Sequence, residues 1–160
     1  MKFSPFSKKI PKSLQIDWAD IALILILCLG IFLRVWKLET HMIFFGDAGR
    51  DMLAAVQAIE TKTPPLLGIP SSIPRFRQGP VSIWFISLIF LVAGPNPLMV
   101  GYLFVLMNVV ALLVCFWIVF KSVNIRAALY STLLLATSPL AVAHSRMPYH
   151  ITPIVLFLLI

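Results

Sequence analysis

Apolar positions along the chain gather into long runs, and the length of each run sets what it can do. Ile21 to Trp36 is the first, with Trp18 and Trp36 at its ends and Arg34 close to its finish. This pattern predicts a spanning helix over 21–36, with Arg34 snorkelling toward the far interface. Leu98 to Phe120 would give about 34 Å of helix, ample for a hydrocarbon core of about 30 Å. Ala127 to Ala143 reads as a further span, interrupted near its end by Ser138 and Pro139. Val81 to Ala93, bounded by Pro80 and the GPNP turn, is shorter than the about 20 residues a crossing takes. The stretch 80–93 is therefore expected as a short interfacial or re-entrant helix, with a full crossing as the alternative. A last apolar run, TPIVLFLLI, marks 151–160 as the start of a helix cut short, as in the N-terminal part of something longer.

Between the first two runs the chain turns polar. Residues 37–79 hold Glu39, Asp47, Asp51 and Glu60 together with Lys37, Arg50, Lys62, Arg75 and Arg77, and read as a large extracytoplasmic loop. Inside it, Asp47 to Thr61 has helical periodicity, with Met52, Leu53, Val56 and Ile59 on one face. Such a helix is expected to lie along a membrane surface and to end at the proline-rich TKTPPLLGIPSSIP. Asp47 suits its N-cap, although Arg50 stands where a capping box would want Glu or Gln.

Composition sharpens this picture. Hydrophobic residues make up 60% of the chain, charged residues 12%, and the mean hydropathy is +0.97. Those values exclude an ordinary soluble domain and point to an all-α, multi-pass integral membrane protein. The net charge of +7 does not imply nucleic acid, because Lys2, Lys8, Lys9 and Lys12 form a short arm, 1–20, ahead of the first run. Such an arm is an orientation signal that places the N-terminus in the cytoplasm. The connection KSVNIR carries Lys121 and Arg126 without an acid, which puts it on the same side. In that arrangement 81–93 does not cross, and the segment HSRMPYH emerges on the same outer face as Asp47. Were 81–93 to cross, HSRMPYH would be cytoplasmic. Cys28 and Cys115 lie in apolar runs and form neither a disulfide framework nor a ligand spacing.

The candidate chemistry lies in FFGDAGRDMLAA. Asp47 and Asp51 are one helical turn apart and repel unless Arg50 or a ligand intervenes. A carboxylate held at the outer membrane surface can serve as a general base toward a hydroxyl acceptor. Arg75 and Arg77, separated by Phe76, suit bidentate binding of a phosphate, the alternative being contact with lipid headgroups. For Arg146 the alternative is a helix-end charge, and for His144 and His150 polar residues at the interface. No metal-ligand spacing stands out, although a carboxylate pair with His150 across the fold leaves a divalent metal open.

The order of features is a cytoplasmic arm, one helix, GDAGRDMLAA opening a surface helix, a Gly-Pro pair starting an apolar helix in QGPVSIWF, a span, and LLLATSPLAVAHSRMPYHITPIV. In this order and spacing the chain resembles the N-terminal module of polytopic C-type glycosyltransferases, the group that includes protein O-mannosyltransferases and the aminoarabinose transferase acting on lipid A. The resemblance implies a bacterial or archaeal plasma-membrane enzyme. Its donor would be a polyprenyl-phosphate-linked sugar, and its acceptor a lipid, glycan or protein. Asp47 is then the catalytic base, with Arg50, Asp51, Arg75, Arg77, Arg146 and His150 around the substrate. Where many members carry Asp-Glu this chain has Asp47-Ala48, and where many carry His-Pro-Pro it has Gln78-Gly79-Pro80. The rival expectation is a non-enzymatic membrane protein, either part of a transporter or a scaffold for anionic lipid.

Overall fold

The computed structural model describes residues 17–71, 73 and 75–149; the basic arm, His150 and the expected final helix lie outside them. Seven helices account for most of the described residues: α1 Trp18–Val35, α2 Leu38–His41, α3 Gly46–Glu60, α4 Val81–Ala93, α5 Pro97–Ser122, α6 Ile125–Thr137 and α7 Pro139–Ser145. Their starts follow from local chemistry. Asp17 and Asp20 form a reciprocal capping box at α1. Asn96 accepts from Leu98 N ahead of Pro97 at the first turn of α5, and Asn124 accepts from Ala127 N at the start of α6. Gly94, at φ +77°, closes α4.

Helices α1, α5 and α6 pack side by side. Trp18 and Ala22 of α1 line one recess with Arg126 and Tyr130 of α6, whereas Arg34 reaches Ala136, so α1 and α6 run parallel. Helix α5 runs against both and turns into α6 through Val123 and Asn124. The three meet at Gly30, where a Cβ would stand 2.9 Å from Leu112 Cδ1 and 3.3 Å from Ala136 Cβ. Among the described residues α1 and α5 are each long and apolar enough to cross a membrane, and α6 with α7 makes a third if that bent pair is one span. The outward surface is apolar as well, through Leu25, Leu106, Leu134 and others. Such an exterior fits lipid better than water.

Helices α6 and α7 meet at 61° across Ser138. Here the structure corrects the expectation for Arg34. Its side chain does not snorkel outward but is 1% exposed, donating to the carbonyls of Gly30 at 3.1 Å, Ala136 at 2.9 Å and Leu135 at 3.2 Å.

Helix α3 packs on α4, which rests on α5, around a cluster that includes Met52, Ala55, Ile83, Ile86, Phe90 and Phe104. The buried stripe of α3 is Ala48, Asp51, Met52 and Ala55, flanked by Val56 and Ile59. Leu53, expected on that face, points outward at 70% exposure. At about 100° per residue it lies some 140° from Ala48, and the small alanines let α4 approach closely. At about 20 Å, α4 is too short to cross alone. The chain before it folds back on itself, with Gly68 N bonded to Gln78 O, Gln78 N to Ile69 O and Ser71 N to Phe76 O.

Candidate functional site

Phe45 is the N-cap of α3, in an extended conformation and without a side-chain cap, so Asp47 is not the cap but the second helical residue. A carboxylate in a first turn faces the positive end of the helix dipole. Asp47 Oδ1 accepts from Arg50 Nη2 one turn on, and both side chains remain about half exposed. Asp51, on the adjoining face, is fully buried. Arg50 thus pairs with the exposed one of the two nearby carboxylates.

The other partner of Asp47 comes from far along the chain. The Tyr149 phenol lies beside the Asp47 carboxylate, and its ring meets Phe45 edge-on at 6.0 Å and 78°. Burial raises the Tyr149 phenol pKa above the ordinary tyrosine value. The charges of Asp47 and Asp51 and the hydrogen bond to Asp47 add to that rise, with Arg50 opposing. The described residues 144–149 therefore share one end of the bundle with Asp47, whereas the start of α1 and the α5–α6 connection share the other. In this arrangement α4 does not carry the chain from one end of the bundle to the other.

Arg146 holds that segment in place. Its Nη2 donates to the carbonyls of Leu33 and, at 3.2 Å, Trp36, which end α1. This answers α1's unsatisfied C-terminal carbonyls with a cation. Arg146 thus sits as a helix-end charge, and its buried Nε has no hydrogen-bond partner among the described residues.

Arg75 and Arg77 stand apart from this group. Both are exposed on the folded-back segment before α4, and Arg75 adopts a left-handed conformation at φ +68°. Arg77 lines a recess of about 430 Å³ with Gln57, Thr61 and Thr63, at the C-terminal half of α3. From Asp47 to Gln57 the helix rises about 15 Å, so the arginine pair and the carboxylate occupy opposite ends of α3. Among the described residues no group of three His, Cys, Asp or Glu side chains is arranged to hold a metal.

The sequence reading missed Tyr149. Its signal was available: the only aromatic residue of HSRMPYH belongs to a segment that one arrangement placed beside Asp47. Chemically, the group is a half-exposed carboxylate paired with a guanidinium, with a phenol beside it. A carboxylate offers about four acceptor positions, so lone pairs remain for a third partner. No protein family, curated protein or solved structure matches the chain.

Proposed function

We propose that the protein is a multi-pass membrane glycosyltransferase that moves a sugar from a polyprenyl-phosphate donor to an acceptor hydroxyl at the extracytoplasmic face. The observation that carries this reading is the accessible Asp47 carboxylate, paired with Arg50 at one end of the bundle. Asp47 takes the acceptor's proton as the acceptor oxygen bonds to the anomeric carbon. The bond from that carbon to the phosphate oxygen breaks, and polyprenyl phosphate leaves with the electron pair. A single displacement of this kind inverts the anomeric centre. Arg50 is the cation nearest the reacting atoms, and Arg75 and Arg77 attract the anionic donor toward the same face. Orientation follows from Lys121 and Arg126, which flank the connection at the opposite, cytoplasmic end.

Sugar transfer from radiolabelled polyprenyl-phosphate sugars to membrane acceptors tests this, with Asp47→Asn beside the parent. The expected result is transfer by the parent and a loss of about 100-fold or more in an equally well expressed mutant. Equal transfer by both proteins would falsify Asp47 as the base.

One observation favours a second, non-enzymatic reading: transporters use broken helices and buried charge, and the α6–α7 break with Arg34 offers both. Yet Arg34 belongs to the last turn of α1, not its middle, and its Nη1 and Nη2 both donate to backbone carbonyls, leaving only the buried Nε without a partner among the described residues. That usage is structural, so the transferase reading is preferred.

A further inference from the structure

Tyr149 has no part in the transfer step set out above, yet its side chain comes from outside α3 to lie beside the Asp47 carboxylate. Two features fix its position independently of that contact. Arg146 ties the segment to the end of α1, while Ser145 and Pro148 on either side are fully buried. Phe45, the residue that opens α3, meets the Tyr149 ring edge-on. The residue before α3 and the segment after α7 therefore hold one another at α3's first turn.

Arg50 alone is a weak guide for a base. Its side chain is 53% exposed, and the terminal torsion of an aspartate is broad and easily turned. A second donor on a different element defines the carboxylate plane. We propose that Tyr149 is a positioning residue for Asp47: its hydroxyl donates to the carboxylate and fixes its plane, with Arg146 holding the tyrosine in register. Two acceptor positions of the carboxylate are then occupied, and its exposed side stays open to an incoming hydroxyl. The catalytic meaning of this arrangement rests on Asp47 being the base.

The test uses the purified protein in lipid nanodiscs, as parent, Tyr149→Phe, Asp47→Asn and the double variant. Ultraviolet phenolate absorbance, taken as the difference with and without Tyr149, follows that phenol alone. Asp47→Asn is expected to move its titration to lower pH, because a negative charge and a charged acceptor are lost. In transfer assays Tyr149→Phe is expected to lower kcat about 10- to 100-fold with the donor KM within about twofold, the pattern of a misplaced catalytic group. A phenol titration indifferent to Asp47→Asn overturns the proposal, as does an unchanged kcat in Tyr149→Phe. A raised donor KM at constant kcat also overturns it, by making Tyr149 a substrate contact. A parent that transfers no sugar overturns the transferase reading alone, since the titration still decides whether Tyr149 holds Asp47.

Discussion

Arg34 donates through Nη2 to the carbonyl of Leu135, the one carbonyl in α6 whose helical partner would have been the amide of Pro139. Proline has no such hydrogen, and its ring turns the helix away from the residue four positions earlier. The adjoining carbonyl, Ala136 O, is freed by the same bend and accepts from Arg34 Nη1. One guanidinium thus replaces two lost backbone donors.

Arg34→Met should therefore destabilise the bundle strongly, by about 3 kcal/mol, because hydrogen bonds from charged donors contribute about 1.5–3 kcal/mol each. Pro139→Ala restores an amide to Leu135, so the same Arg34 substitution should cost less in that background. A double-mutant cycle by thermal denaturation in detergent reads the coupling. Simple additivity of the two substitutions would sink the account.

Arg146 separates two roles by kinetics. As an anchor for the Tyr149 segment it acts through Asp47, so Arg146→Gln should lower kcat and leave the donor KM within about twofold. As a phosphate ligand it would instead raise the donor KM. Steady-state transfer at varied donor concentration distinguishes the two.

The Tyr149 phenol carries a pH prediction. In the folded protein it stays protonated beyond the ordinary value of 10.0 at which the unfolded chain loses its proton. Its contribution to stability is thus complete below that pH, and is lost as pH rises through the elevated folded value. Unfolding followed between neutral pH and strong alkali should show a decline that begins above pH 10 and is absent from Tyr149→Phe.

The two faces of α3 should respond oppositely to substitution. Ala55→Leu forces a large side chain between α3 and α4, where overpacking costs about 1–3 kcal/mol. Leu53→Gln leaves that interface alone and should change stability by no more than about 0.5 kcal/mol. If Leu53→Gln proves the more damaging in thermal melts, the register of α3 is wrong.

The long helices were legible because hydrophobic runs report length directly: α1 and α5 lie within a few residues of the runs that announced them. The orientation of α3 was not, because the reading followed its large apolar residues, whereas Ala48 and Ala55 make the close approach. Arg34 misled for a related reason. A charge near the end of an apolar run usually reaches the headgroups, and the carbonyls that draw it inward are 101 and 102 residues away. In the site, Asp47 and Arg50 were visible as neighbours on one helix. Tyr149 joins them through packing between distant segments, and Arg75 and Arg77, near in sequence, fall at the other end of the same helix.

The separation between Arg34 and its acceptors has a consequence for how the protein is made. At a synthesis rate of about 5–20 residues per second, the Leu135 and Ala136 carbonyls emerge roughly 5–20 s after Arg34 does. On the membrane reading, the first helix enters the bilayer before its charge has a protein partner, and the headgroup region is the place where that charge can wait. The snorkelling arginine of the sequence reading then describes the nascent chain, and closing of the bundle draws the side chain inward. Accessibility labelling of a cysteine at Trp36 in ribosome-bound chains of increasing length should show a step to protection only once residue 136 has cleared the exit tunnel.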